Sequence, residues 1–141
     1  DPETTVKLYE ERYVFIAPRS LTISKEKQIT WSEVAQIPLC LLTQNMKNRQ
    51  LIDRHFLDLG ISPSIVTEAS DFTAVLAQVA AGNAATIAPE SVAQTFLDLK
   101  STKQLDLIRP VLTHSVGLSI KDQSPVLPMI EALRKAVKSA L

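Results

Sequence analysis

The sequence predicts an α/β domain whose central strands run parallel, joined by helices in right-handed βαβ units. Three observations point to it. Between residues 38 and 99, β-prone runs alternate with segments of helical periodicity. The run PLCLLT (38–43) is continuously apolar, as expected of a strand covered on both faces. The changes of period fall at Gly60, Pro63, Gly82 and Pro89, residue types that stop or start regular structure.

Taken in order, YVFIA (13–17) reads as a short strand closed by Pro18, and SLTISKEKQ as a loop. In TWSE, Thr30 stands three residues before Glu33, the spacing of a capping box, and opens a short helix to about Ile37. Pro38 ends that helix, and the strand 38–43 follows. In MKNRQLIDRHFLDLG, residues Leu51, Ile52, His55, Phe56 and Leu59 recur at helical spacing until Gly60 supplies a left-handed stop. Pro63 precedes the strand SIVTE (64–68). Ser70 is a suitable N-cap for a helix from Asp71 to Ala81, stopped by Gly82. AATIA (84–88) reads as a strand, and Pro89 as the first residue of a helix to about Leu99. LDLIR (105–109) and a strand SVGLSIK (115–121) come next. A last helix, capped by Ser124 and started by Pro125, carries Val126, Ile130, Leu133 and Val137 along one face. No internal repeat or low-complexity segment interrupts the pattern.

Composition bounds the function. A chain of 141 residues suits one domain or one and a half small ones, and a hydrophobic content of 45% allows a packed core. Lys+Arg and Asp+Glu are both 15, so formal net charge is +0, with no basic run longer than two residues. Phosphate affinity comes mostly from clustered Lys and Arg, so stand-alone nucleic-acid binding is not expected. The single cysteine, Cys40, lies in IPLCLL and reads as a small buried hydrophobe; it forms no internal disulfide, which fits a reducing compartment. No stretch approaches the roughly 18 apolar residues of a membrane span. The beginning, DPETTVKLYEER, is polar and unlike a signal peptide, and reads as a cut through a longer chain.

In an open parallel sheet, ligands bind beyond the carboxyl ends of the strands, where helix N-termini present free N–H groups. Three such junctions are expected on one rim: Thr43-Gln44-Asn45, Glu68-Ala69-Ser70-Asp71-Phe72, and Ala88-Pro89-Glu90-Ser91. Helix capping alone also explains Ser, Thr, Asn and Asp there. Asp71 and Glu90 suit the helix dipoles and would oppose an anionic ligand. Catalytic signatures are missing: no G-x-S-x-G, G-x-x-x-x-G-K-[ST], G-x-G-x-x-G or H-E-x-x-H occurs, and the chain has 3 glycines. His55 and His114 have no Cys or His close in sequence, so no metal is expected, and Trp31 reads as a packing residue. No nucleophile–base set can be assembled, so no enzyme activity and no cofactor are expected.

The segments ERYVFIAP, ITWSEVAQIPLCLLTQNMKNRQLIDRHFLDLGISPSIVTEASDFTAVLAQVAAGNAATIAPESVA and LDLIRPVLTHSVGLSIKDQSPVLPMIEALRKAV, in this order and spacing, resemble the effector-binding domain of LysR-type transcriptional regulators. The likeness covers nearly the whole chain from about Tyr13. It departs at Asn83-Ala84, where the family usually has a second glycine after Gly82, and after Pro18, where His-Pro-Leu is common.

The resemblance implies a type II periplasmic-binding-protein-like (Rossmann-like) architecture. Two α/β lobes are joined by two antiparallel crossover strands, with an effector in the cleft between them. On this mapping Tyr13–Ala17 and Ser115–Ile120 are the crossovers, and residues 13–121 hold the second lobe with both of them. Residues 122–141 are a C-terminal helix belonging to the first lobe; without the rest of that lobe its apolar stripe is expected to seek another chain by dimerisation or swapping. Most of that lobe and the DNA-reading winged helix-turn-helix are expected outside this chain. The implied effector-binding residues are Thr43, Gln44, Asn45, Ser70, Asp71 and Phe72, with Thr86 and Pro89 as strand floor and exit. The implied partners are a small-molecule effector and further copies of the chain, as a dimer or tetramer. DNA would be met only through the other domain; no membrane is involved, and the setting is cytoplasmic. A lobe of a periplasmic solute-binding transport protein would share the architecture. So would a lobe of a bilobal transferase, which needs an anion-binding Arg cluster or a nucleophile on the rim; Arg49 and Lys47 are the local cations, and an exposed helix face explains them as well.

Overall fold

The computed structural model describes residues 3–25, 27–121 and 135–137. The chain forms two compact units, one of residues 1–11 with 113–141, the other of residues 12–112. Strand β1 (Glu3–Pro18) contributes to both.

In the first unit, β1 pairs with β7 (Thr113–Lys121), and the Ser115 hydroxyl donates to Glu10 at 2.9 Å. Sequence periodicity places the start of β1 at Tyr13; the strand begins ten residues earlier, at Glu3. Residues 3–12 are mostly polar, so they carry no buried-strand pattern. Their pairing is fixed by a partner about a hundred residues away, as the 105-residue separation of Glu10 and Ser115 illustrates. Ser124, Pro125, Val126, Ile130 and Leu133 of the expected terminal helix lie outside the described residues; residues 135–137 are helical.

The second unit holds β2 (Gln28–Thr30), α1 (Trp31–Val34), β3 (Pro38–Leu42), α2 (Lys47–Leu59), β4 (Ser64–Ala69), α3 (Phe72–Ala80), β5 (Thr86–Pro89), α4 (Glu90–Phe96) and β6 (Thr102–Ile108). One sheet has the order β2-β6-β1-β5, with β1 antiparallel to β5 and β6, and β2 parallel to β6. β3 and β4 form a parallel pair. β3 meets β5 through a parallel bridge, Leu39 to Ala85, where the Cys40 amide donates to Ala85 O and the Ala85 amide to Pro38 O, each at 2.9 Å. The expected strand–helix–strand–helix–strand passage is therefore present from β3 to β5.

Local chemistry explains the boundaries. Thr30 and Glu33 form the full capping box: the Glu33 amide donates to the Thr30 hydroxyl at 3.2 Å and the Thr30 amide to the Glu33 carboxylate at 3.1 Å. Gly60 closes α2 at φ 68, a conformation a Cβ disfavours. Two expectations shift by one residue. The N-cap of α3 is Asp71, not Ser70: the helix begins at Phe72, and the Asp71 carboxylate accepts from the Ala74 amide at 2.9 Å. Pro89 is the N-cap of α4 rather than its first helical residue, since its ψ of 142 still belongs to the end of β5. β2 is not expected from the sequence: it overlaps the segment read as loop only at Gln28 and runs into Thr30 of the capping box; three residues are too few to show a period, and parallel pairing with β6 defines it.

β1 is apolar without alternation from Tyr13 to Ala17 because both of its faces are covered. Tyr13, Phe15 and Ala17 enter a cluster with Trp31, Leu39, Leu41, Phe56, Ile87 and Leu105. Val14 and Ile16 pack on the other face against Leu76, Val79, Ala88 and Ala93. Cys40 is buried with Leu42, Val75 and Ala84.

Candidate functional site

β3 and β4 end side by side. Leu42 lies opposite Ala69, and the Thr43 amide adds a last rung to Ala69 O at 3.1 Å. β5 runs in the same direction through the Leu39–Ala85 bridge, so its exit at Pro89 points to the same end of the strands.

At the first tip, the Thr43 hydroxyl and the Asn45 side-chain oxygen lie 2.7 Å apart, the Met46 amide closes a turn on Thr43 O at 3.1 Å, and Gln44 O accepts from the Gln50 side chain at 3.1 Å. Gln44 and Asn45 are exposed and Thr43 is half-buried. Helix α2 begins here with Met46 as an N-cap that offers no side-chain acceptor, and with no acid in its first turn. At the second tip, Ser70 and Asp71 are exposed, with Asp71 engaged as the cap of α3. Phe72 is half-buried and packs against the clusters around Val14 and Cys40, so much of its ring serves the core. At the third, Pro89 is buried. Thr86 opens β5, three residues before the exit; it is 1% exposed, and its hydroxyl finds no hydrogen-bond partner among the described residues. Thr86 faces Ile16 across the β1–β5 pair, on the side covered by α3 and α4. The solvent-facing polar groups gathered at the strand ends are thus Thr43, Gln44, Asn45, Ser70 and Asp71.

Sequence reasoning overlooked the groups that hold these tips. Arg49, for which the sequence left open an anion-binding cation or an exposed helix face, is 4% exposed. Its Nη1 donates to Leu42 O at 2.8 Å and to the Glu68 carboxylate at 2.5 Å, and its Nε to Asp53 at 2.9 Å. Burial opposes its charge, but the two carboxylates outweigh it and raise its pKa above the ordinary value. The i, i+4 spacing of Arg49 and Asp53 was the available signal. Tyr13, buried in β1, bonds through its hydroxyl to Asn48 in the first turn of α2. Arg12 pairs with Glu90 at 2.5 Å and Asp106 at 3.1 Å, and Gln104 donates to Glu90 at 3.3 Å. The rim acids Asp71 and Glu90 therefore have internal partners, Asp71 in a helix cap and Glu90 in an ion pair, as Glu68 has in Arg49, which weakens their opposition to an anion. A groove of about 460 Å³ lined by Gln44, Arg49, Val66 and Glu68 runs beside β4.

What the arrangement offers chemically is hydrogen bonding. Among the described residues no three His, Cys, Asp or Glu side chains gather as metal ligands, and no helix is long and apolar enough to cross a membrane.

The family model described as LysR substrate binding domain matches residues 1–141, the whole chain. The chain belongs to the LysR substrate-binding domain family. Solved structures share the fold of this LysR domain. The effector-binding domain of QuiR in complex with shikimate has a TM-score of 0.77 at 18% identity, covering 99% of this chain and 65% of that one. The CcmR regulatory domain of Synechocystis PCC6803 in complex with 2-PG has a TM-score of 0.84 at 9% identity, covering 98% of this chain and 66% of that one. HinK, a LysR family transcriptional regulator from Pseudomonas aeruginosa, has a TM-score of 0.82 at 16% identity, covering 99% and 49%. The LysR domain described here thus spans less than two thirds of the length of each of these chains. A search of curated proteins gave no match.

Proposed function

We propose that the chain is the ligand-sensing part of a LysR-type transcriptional regulator, and that the rim formed by Thr43, Gln44, Asn45, Ser70 and Asp71 provides one side of its effector site. Phe72 would flank the ligand's apolar part, and Thr86 and Pro89 would support the floor from within the core. The observation that carries this reading is the convergence of polar tips at the ends of parallel strands, within a domain of this family. The effector is a small hydroxylated acid or similar polar metabolite, matched by hydroxyl, amide and backbone N–H groups. The chain catalyses nothing; it works in the cytoplasm, as a dimer or tetramer, and DNA is contacted by another domain of the whole regulator.

Control follows from differential affinity. A ligand that binds one arrangement of the regulator better than another shifts the population toward it, and one with equal affinity for both shifts nothing.

The test is calorimetry with shikimate, 2-PG and related hydroxy acids, first on the natural chain and then on Thr43→Ala and Ser70→Ala. Each variant should bind the selected acid about tenfold more weakly, the loss of a hydrogen bond to a charged or polar ligand. Unchanged affinity in both removes the proposal.

A further inference from the structure

We infer that Arg49 is the positioning residue of the rim: from α2 it locks the tips of β3 and β4 together, so that Thr43–Asn45 and Ser70–Phe72 are presented in one fixed arrangement. This rests on the reading of the rim as the effector site, and it adds a residue that acts through the groups it arranges.

The local structure calls for such a lock. β3 and β4 share a register shift between Leu39 and Cys40, and their ladder ends with the single rung from the Thr43 amide to Ala69 O. Beyond it the chain departs toward α2 on one side and α3 on the other. Among the described residues β4 pairs with β3 alone, so no third strand steadies its outer edge. Terminal rungs of a two-stranded ladder open readily.

Arg49 supplies the missing restraint. Nη1 alone bridges the two strands, meeting the last carbonyl of β3 at 2.8 Å and the penultimate side chain of β4 at 2.5 Å. Nε, held by Asp53 at 2.9 Å, fixes the plane of the guanidinium to its own helix. Three elements are thereby joined through one planar fork. A lysine ammonium, a point charge on a flexible stem, cannot reproduce that geometry. The guanidinium is buried, while Gln44, Asn45, Ser70 and Asp71 of the segments it arranges are exposed.

The test is amide hydrogen exchange of the 141-residue chain, read by NMR without any ligand, for the natural sequence and for Arg49→Met, Arg49→Lys and Glu68→Gln. Two amides are compared: Thr43, whose N–H forms the terminal rung, and Cys40, whose N–H is bonded to Ala85 O on the other side of β3. In Arg49→Met, exchange at Thr43 should quicken by about tenfold or more relative to Cys40. Arg49→Lys and Glu68→Gln should give smaller, intermediate changes at the same amide. Equal acceleration of both amides would mean that Arg49 serves general stability only, and an unchanged Thr43 would mean that it holds nothing; either result overturns the inference. Asp53 and Glu68 keep side-chain exposures of 42% and 41%, so the Met variant strands no buried charge. Should it nevertheless fail to fold, Glu68→Gln alone decides by the same comparison. Because no ligand is present, this result and that of the calorimetry stand or fall separately.

Discussion

The indole N–H of Trp31 donates to the carbonyl of Pro110 at 2.8 Å, joining the first helix of the second unit to the segment that leaves β6. The ring is 0% exposed and meets Phe56 edge-on, with centroids 4.9 Å apart at 82°. Trp31 therefore supplies both apolar area and one buried polar link. Trp31→Phe keeps much of the area and leaves the Pro110 carbonyl without its donor. We expect a loss of about 1–3 kcal/mol in urea unfolding followed by circular dichroism.

His55 predicts an acid-side weakness. Its ring meets Trp31 at a centroid distance of 4.3 Å, tilted by 55°, and its buried Nε2 has no hydrogen-bond partner among the described residues. Burial lowers its pKa, and Asp58 only partly opposes that. A depressed histidine pKa means that the unfolded chain binds the proton more readily. Stability should thus be complete above the unfolded value of about 6.5 and should fall as the pH drops below it, until the folded pKa is reached. The urea midpoint should decline between about pH 7 and pH 5 in the natural chain, and His55→Leu should flatten that slope. A slope unchanged in the variant would assign the effect to other groups.

The capping box titrates in a lower window. Glu33 has its pKa lowered chiefly by the Thr30 backbone N–H, then by the Ser24 and Thr30 hydroxyls. Its contribution is present above the ordinary glutamate value and is lost as the pH falls through the depressed one. Thr30→Ala should cost about 1 kcal/mol at neutral pH, measured by the same unfolding transitions.

Ser70 and Asp71 are adjacent at the second tip but do different things. Asp71 caps α3, so Asp71→Ala should lower stability by about 1 kcal/mol. Ser70 is exposed and carries no cap, so Ser70→Ala should stay within about 0.5 kcal/mol of the natural chain. Differential scanning calorimetry separates the two. A larger loss for Ser70 would restore it as the cap.

The legibility of the sequence varied with the range of the deciding interaction. The capping box, the Gly60 stop and the β3–α2–β4–α3–β5 passage rest on residues a few positions apart, and they stand out as patterns. β2 and the first ten residues of β1 owe their structure to distant strands, so nothing local marks them. At the rim, junction chemistry pointed to the tips themselves. It missed Arg49 because an arginine on an amphipathic helix is ordinary until Glu68 and the Leu42 carbonyl close around it. Thr86 shows the reverse: a hydroxyl chosen for its chemistry lies inside the core, because side-chain alternation along β5 turns it toward Ile16.

The most direct measurement of the central claim is an amide chemical-shift titration of the chain with the hydroxy acid selected by calorimetry. Saturable shifts should concentrate at Thr43, Gln44, Asn45, Ser70 and Asp71. Saturable shifts confined elsewhere, for instance to the 220 Å³ hollow lined by Thr73, Leu76, Phe96 and Leu97, would contradict it.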